Sequence, residues 1–400
     1  MTRPRVLHVA RNYPNPMMPR LGLWTERIVR ATRGSWDAEV IAPVPYWPPI
    51  PGPTNFTRYR RVPRELERDG VRVHHPRFPA GPGSSLKQVE APGFYAAVRG
   101  VADRRHAEHP FSLIHGHFID PDGWAAARLA RRYGVPFIVT EHASWRPWLD
   151  HARYTRRRAV LTATQSRFLV AVSRSLAASI TEFVDLGDRL RVIPNIVDDH
   201  TFPSQGDVTP IQNRLIFVGL IRRVKGLDIL LRALRLLIDQ GTDVTLTVVG
   251  ESFYGAYRAD HREVLSLVEA LGLSRHVRFL GGMAPEDVAR EIGRSRALVL
   301  PSRRETFGAV LVESLACGRP VVATRCGGPE DIVDDAVGVL VEPEDPGALA
   351  EGIIAVLGRH YDPAALTRHA MTRFGTAAVG TELSRLYAEA LVAPATGTNR

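Results

Sequence analysis

The stretch PSRRETFGAVLVES, residues 301–314, sets two glutamates, Glu305 and Glu313, eight positions apart with Thr306, Phe307, Gly308 and an apolar run between them. It continues the strand-like segment ALVLPS, so Glu305 belongs to the loop at a strand's carboxyl end. A helix starting near Gly308 or Ala309 places Glu313 about one turn inside it. The free N–H groups of Phe307, Gly308 and Ala309 at such a helix start favour an anion. Carboxylates repel phosphate but accept hydrogen bonds from sugar hydroxyls. A ligand with phosphate in its middle and a hydroxyl-rich ring on each side, the anatomy of a nucleotide sugar, suits this arrangement.

Other residues carry weaker signals. All but two of the 52 basic residues are arginine; the lysines are Lys87 and Lys225. Lys225 lies in FVGLIRRVKGLDIL, between a strand and a helix start, where a compact ammonium can meet a diphosphate. CGGPEDIV repeats the strand–glycine–helix junction, with Gly327 and Gly328 allowing close approach and Pro329 suited to the first helical position; a plain tight turn is favoured slightly over ligand contact. LIHGHFIDPDG brings His115 and His117 to a strand end, and TEH ends the next strand at His142. His115 and His117 are read here as facing opposite sides of their strand, which leaves no metal site. The DPD of Asp120–Asp122 is read as a loop beside Gly123.

The elements that must position these groups alternate between short apolar runs and helical patterns in both halves. RVLHVA, AEVIAPV, VRVHHP, SLIHGHF, PFIVTEH and FLVAVS read as strands of the first half, with helices over 24–32, 95–107 and 123–133. RLIFVG, VTLTVVG, VRFLG, ALVLPS, PVVAT and GVLVE read as strands of the second, with helices near 226–240, 257–271, 285–292, 309–316, 329–333 and 346–357. Continuous apolar strands alternating with helices predict parallel sheets covered on both faces, an α/β class. The pattern restarts after the polar stretch RVIPNIVDDHTFPSQGDVTPIQN, which divides the chain into two similar domains facing each other across a ligand cleft at the strands' carboxyl ends. A further helix over 377–391 follows. The Pro-rich stretch from Pro43 to Gly70 reads as a long irregular loop whose Tyr46, Trp47 and Phe56 line an acceptor surface or pack on the first domain.

Composition sets the outer limits. A chain of 400 residues, 44% hydrophobic and 24% charged, suits two compact domains. No apolar run approaches the roughly 18 residues of a membrane span, and the N-terminus lacks a signal-peptide core, so a cytoplasmic protein is expected. Two cysteines, Cys317 and Cys326, make neither a disulfide framework nor a zinc site. The net charge of +10 is lopsided: residues 1–200 hold 30 Lys and Arg against 18 Asp and Glu, the remainder 22 against 24. A basic first half points to an anionic partner such as a membrane surface or a phosphorylated substrate, while its densest cluster, RYTRRR (153–158), reads equally as a solvated helix face. Nucleic acid is excluded as a partner, because the basic segments lack interleaved stacking aromatics.

Taken together, IFVGLIRRVKGLDILLRAL, VRFLGGM, VLPSRRETFGAVLVESLACGRPVVATRCGGPEDIV and GVLVEPEDPGALA resemble the nucleotide-sugar half of a retaining GT-B glycosyltransferase of family 4. LIHGHFIDPDG, VPFIVTEHAS, VAVSRSL and RVIPNIVD resemble the N-terminal domain of the same family in order and spacing. The resemblance implies a GT-B fold of two facing Rossmann-like domains. Residues 1–200 would bind the acceptor and 201–372 the nucleotide sugar; the helix within 373–400 would return to the N-terminal domain. It implies that Glu305 holds the donor sugar's hydroxyls, that Glu313 binds the ribose, and that Lys225 neutralises the diphosphate beside the backbone of Phe307, Gly308 and Ala309. His117 would lie near the donor sugar and acceptor, Gly22 would approach the phosphate, and His142 is a lesser candidate. The donor would be a UDP- or GDP-sugar and the acceptor a hydroxyl, on a lipid-linked or cell-envelope glycan. The anomeric configuration would be retained, and neither metal nor covalent cofactor would be required.

The chain departs from the family at Leu220, where many members carry arginine after the strand-end glycine; Arg222 or Arg223 would supply that charge. A dehydrogenase is excluded, because VARNYPNPMMPRLG contains no G-x-G-x-x-G. A GT-B nucleotide-sugar epimerase and a non-catalytic nucleotide-sugar-binding protein remain as alternatives.

Overall fold

The computed structural model describes residues 3–46, 59–80, 87–143, 153–205, 207–250 and 258–392. Trp47 and Phe56, expected above to line an acceptor surface, lie outside the described residues. The chain separates into two compact units: Met1–Asn195 with Val379–Arg400, and Ile196–Ala378.

The first unit is built on an eight-stranded sheet in the order β10-β9-β8-β7-β1-β2-β5-β4. Its strands are β1 (Arg5–Val9), β2 (Asp37–Ile41), β4 (Glu65–Arg68), β5 (Val71–His74), β7 (Leu113–His117), β8 (Phe137–Glu141), β9 (Phe168–Ala171) and β10 (Leu190–Val192); β3 (Val44–Tyr46) and β6 (Arg77–Pro79) pair separately. Strands β7, β8 and β9 are buried at every position, as their continuous apolar runs require of a sheet covered on both faces. Seven strands run parallel, whereas β4 returns antiparallel to β5. Sequence reading missed this hairpin because ERDGVR ended a stretch taken as irregular. Asp69 and Gly70 adopt φ of 50° and 70°, the left-handed pair of a two-residue hairpin turn.

The second unit carries a six-stranded, wholly parallel sheet, β13-β12-β11-β14-β15-β16. These are β11 (Arg214–Val218), β12 (Thr245–Val249), β13 (Val277–Gly281), β14 (Ala297–Leu300), β15 (Val321–Thr324) and β16 (Gly338–Val341). Helix Leu227–Asp239 buries seven apolar side chains on one stripe, and helix Pro346–Gly358 is capped by Asp345, which accepts from the Ala348 N–H. Helix Pro363–Phe374 escaped sequence reading although it has a clear start, Asp362 accepting from the Ala364 N–H with Pro363 in the first turn. The expected helix over 329–333 is a single 3-10 turn, Gly328–Asp331, and the one expected from Tyr95 begins at Lys87 and carries Pro92 inside it.

Both sheets reverse strand order once. In the first unit the chain moves outward from β1 to β2 and then restarts at β7 on the other side; in the second it moves from β11 to β12 and β13 and restarts at β14. Such switch points leave a crevice at the strands' carboxyl ends, where open α/β sheets bind ligands. Among the described residues no helix is long and apolar enough to cross a membrane.

Candidate functional site

The second unit's switch point gathers the residues singled out from PSRRETFG and VKG. Lys225 follows β11 and Glu305 follows β14, adjacent strands in the sheet. Lys225 Nζ meets Glu305 Oε2 at 2.5 Å, with the two side chains 26% and 13% exposed. The loop carrying Glu305 continues the pairing of β14 with β15 beyond the strands: the Glu305 N–H donates to the Cys326 carbonyl (3.1 Å) and its carbonyl accepts from the Gly328 N–H (2.8 Å). Two glycines make the close approach possible. A Cβ on Gly328 would stand 2.3 Å from Phe307 Cα, and one on Gly226 would stand 1.8 Å from the Pro301 carbonyl oxygen. CGG is therefore a packing surface for the Glu305 loop.

Helix Ala309–Ala316 starts beside that pair. Gly308 caps it with φ of 98°, a conformation only glycine adopts freely, and, having no side chain, makes no cap bond to its first N–H groups. Phe307 is buried, its ring edge-on to Phe374 at 5.8 Å, so only its backbone is available to a ligand. Glu313 is half-buried within the helix. Arg222 is half-buried and Arg223 exposed; the Arg223 N–H donates to Asp260.

Arg303 fixes the Lys225 loop and was not picked out from the sequence. Its guanidinium grips Asp228 with two bonds of 2.8 Å, reaches Glu344 at 2.6 Å and donates to the Arg223 carbonyl at 2.5 Å, while its N–H donates to the Val224 carbonyl. The hydrogen bond to Asp228 raises the arginine's pKa and, despite burial, Arg303 lowers that of Asp228. Arg303 adjoins Arg304 in the sequence, and nothing local separates the half-buried clamp from its exposed neighbour.

The first unit's switch point holds histidines. His8 on β1 and His115 and His117 on β7 are fully buried. The reading of His115 and His117 on opposite faces is wrong: residues two apart along a strand share a face, and their rings stack at 4.2 Å between centroids. His115 bonds Tyr387 Oη through Nδ1 (2.7 Å) and Thr140 Oγ1 through Nε2 (2.8 Å). His117 Nε2 meets His8 Nδ1 at 3.1 Å. Burial holds His8 at about 3 and pushes His115 and His117 well below the ordinary histidine range, so all three rings stay neutral.

His142 follows β8, its Nδ1 3.0 Å from Asn195 Oδ1, and burial lowers its pKa to about 3. Glu141, unnoticed in the sequence, organises that corner: its carboxylate accepts from the N–H groups of Ile119, His142 and Ala143. Gly22 caps helix Leu23–Thr32 at φ of 72°, and a Cβ there would stand 2.0 Å from the Asn12 carbonyl oxygen. The helix brings Trp24 to 5.9 Å from the His142 ring. The nitrogens His8 Nε2, His117 Nδ1, His142 Nε2 and Trp24 Nε1 are buried without a protein partner. Asp120 and Asp122 lie in a π-helical turn, Ile119–Gly123. Asp120 is clamped by Arg158 (2.9 and 3.0 Å), and Asp122 accepts from the Arg11 N–H, so the DPD motif is structural.

Among the described residues, one group has metal-ligand atoms close together: His8, His115 and His117, within 4.8 Å of one another. Both nitrogens of His115 are committed to Tyr387 and Thr140, and one from each of the others to their mutual hydrogen bond. A cation would have to displace these bonds.

Two Rossmann-like sheets with these crevices define the GT-B class. Residues 202–373 match the family model for glycosyl transferases group 1, and residues 21–196 match that of the glycosyl transferase 4-like domain. A D-inositol 3-phosphate glycosyltransferase from Frankia alni is 30% identical over 357 residues, covering 80% of this chain and 85% of that protein. An uncharacterized glycosyltransferase from Methanocaldococcus jannaschii is 32% identical over 246 residues, 61% of this chain and 65% of that one. The crystal structure of HepE from Anabaena in complex with UDP and glucose shares the fold, with a TM-score of 0.72 at 21% identity over 97% of this chain and all of that one. The chain belongs to the family 4 glycosyltransferases of GT-B fold.

Proposed function

We propose that the chain is a metal-independent, retaining glycosyltransferase that moves a sugar from a nucleotide-diphosphate sugar to a hydroxyl acceptor. The observation that carries this reading is the Lys225–Glu305 pair at the second unit's switch point, beside the uncapped start of helix Ala309–Ala316. A diphosphate suits the ammonium of Lys225 and the N–H groups of Phe307, Gly308 and Ala309, and takes Lys225 from Glu305 as it binds. Glu305 is then free to accept from the sugar's hydroxyls, while Glu313 accepts from the ribose. Arg222, half-buried in the same loop, would share the diphosphate charge, and the exposed Arg223 would add to the field around it. Positive charge at the leaving diphosphate stabilises the transition state more than the ground state. In the first unit, the uncharged Gly22 would serve the phosphate, and the neutral His117 and His142 would serve the sugar and the acceptor hydroxyl.

The relative from Frankia alni acts, by its name, on D-inositol 3-phosphate, so that compound is the first acceptor to try; a lipid-linked glycan is the second. The arginine-rich first half and the exposed Arg156, Arg157 and Leu161 of helix Arg153–Gln165 favour attachment to an anionic membrane on its cytoplasmic face.

Thermal stabilisation by UDP, GDP, ADP and their sugar conjugates, with EDTA present, tests the proposal. A nucleotide at about 100 times its dissociation constant adds roughly 2.7 kcal/mol. Stabilisation by one nucleotide, abolished in Glu313→Ala, is expected. Absence of stabilisation by all of them overturns the donor site.

A further inference from the structure

We infer that His8 is a positioning residue: its Nδ1–H donates to His117 Nε2 and fixes His117 as the tautomer protonated on Nδ1, so that His117 meets a ligand as a hydrogen-bond donor. This rests on the reading of His117 as a group that faces the reacting sugar.

The geometry is specific. β1 and β7 are neighbours, with His8 in register with His115, so His8 lies two residues deeper than His117. The His8 and His117 rings are nearly parallel, 20° apart with centroids at 5.4 Å, and their nitrogens are 3.1 Å apart. His115 cannot serve His117 in the same way, because Tyr387 and Thr140 occupy both its nitrogens.

Two neutral imidazoles carry one N–H each. Their mutual bond uses one N–H and one lone pair, leaving one N–H and one lone pair between His8 Nε2 and His117 Nδ1, both buried and without a protein partner. If His117 donates, the leftover N–H falls on His8 Nε2, behind His117, where a buried donor stays unpaired. If His8 donates, the leftover N–H falls on His117 Nδ1, at the last position of β7 and at the switch point where a ligand arrives. Orphaned buried N–H groups are the rarer and costlier kind, so the second arrangement is the one that substrate completes. In it His117 offers a proton to a sugar or phosphate oxygen and has no free lone pair with which to act as a base.

The test uses the full chain labelled with 15N-histidine, the His117 signals being identified by their loss in His117→Gln. The wild type is expected to show His117 with a protonated Nδ1 and a bare Nε2. His8→Leu is expected to mix the tautomers and to lower kcat for UDP release from UDP-glucose about tenfold, leaving KM within about twofold. In His8→Asn the amide N–H takes the place of Nδ1–H, and the wild-type pattern and most of kcat are expected to return. A wild-type His117 protonated on Nε2 overturns the inference, as does His8→Leu with unchanged spectrum and kcat. Because the wild-type spectrum alone can decide, a variant that fails to fold does not protect the inference. A wild type that never turns over UDP-glucose refutes transfer from that donor, while the spectrum still judges His8.

Discussion

The two units solve one architectural problem with opposite chemistry. Each opens a crevice where strand order reverses, between β1 and β7 in the first and between β11 and β14 in the second. The first fills its crevice with neutral, fully buried imidazoles bonded to one another, to Tyr387 and to Thr140. The second places a charged pair, Lys225 and Glu305, partly open to solvent beside a helix start. Among the described residues all five buried histidines, His8, His74, His75, His115 and His117, belong to the first unit. Charge is tolerated where water or an ionic ligand can reach it, and a buried group keeps its place by staying neutral and paired. The difference predicts that the units fail under different insults.

Acid should separate them most. His8 and His142 are held at about 3, His75 at about 4, and His115 and His117 well below the usual range, chiefly by burial. A histidine whose folded pKa is depressed binds its proton in the unfolded state first. Its contribution is therefore intact above about pH 6.5 and is lost as pH falls toward the folded value, by about 1.4 kcal/mol per pH unit for each group. Asp122, raised by burial, works in the opposite direction, but it is one group against five. Glu39 adds nothing in this window: although burial raises its pKa, hydrogen bonds from His74 and Arg105 hold it at about 2. Hydrogen exchange between pH 7 and 5 should show the first unit's sheet losing protection while β11–β16 keep theirs. Simultaneous loss in both units would refute the contrast.

Removing the charge from the second crevice should cost turnover rather than fold. Lys225→Ala is expected to lower kcat by about 10²–10³, the size of effect seen when one preorganised electrostatic group is deleted, with little change in Tm. A loss confined to KM would mean that Lys225 holds the ground state only. Arg303→Leu tests whether Lys225 depends on its clamp. Because Asp228 is left unpaired, a stability loss of about 1–2 kcal/mol after allowance for solvent screening is expected, together with weaker nucleotide binding. A double-mutant cycle with Asp228→Asn should show coupling, and additivity would count against the clamp. The smallest effect belongs to the neutral side: Tyr387→Phe removes one hydroxyl from His115 and should cost about 1 kcal/mol, measurable in urea without loss of nucleotide binding.

Much of this was legible in the sequence, for reasons that differ by residue. Glu305, Gly308 and Glu313 could be placed because a strand, a glycine and a helix follow in a fixed local order, so position along the chain gives position in space. Lys225 was legible for the same reason, and the 2.5 Å contact to Glu305 joins two such junctions. What escaped notice is what depends on distant partners. His8 matters through a residue 109 positions away, and Arg303 through Asp228, 75 positions before it. The misplacement of His115 was of another kind: strand periodicity, properly applied, would have put it beside His117. The hairpin of β4 with β5 was hidden by its Pro-rich surroundings, although its Asp-Gly turn was in plain view.

The bond between His115 and Tyr387 spans 272 positions. A ribosome that has finished β10 has made every strand of the first sheet, yet the partner of a fully buried histidine has still to be synthesised. Until helix Thr376–Val392 emerges, His115 faces an unfilled place in the fold, and the second unit must be translated in between. The first unit is thus begun first and finished last. A nascent chain halted before residue 387 should contain its strands without its settled interior, and the imidazole crevice would mature only after the Lys225–Glu305 crevice had been made.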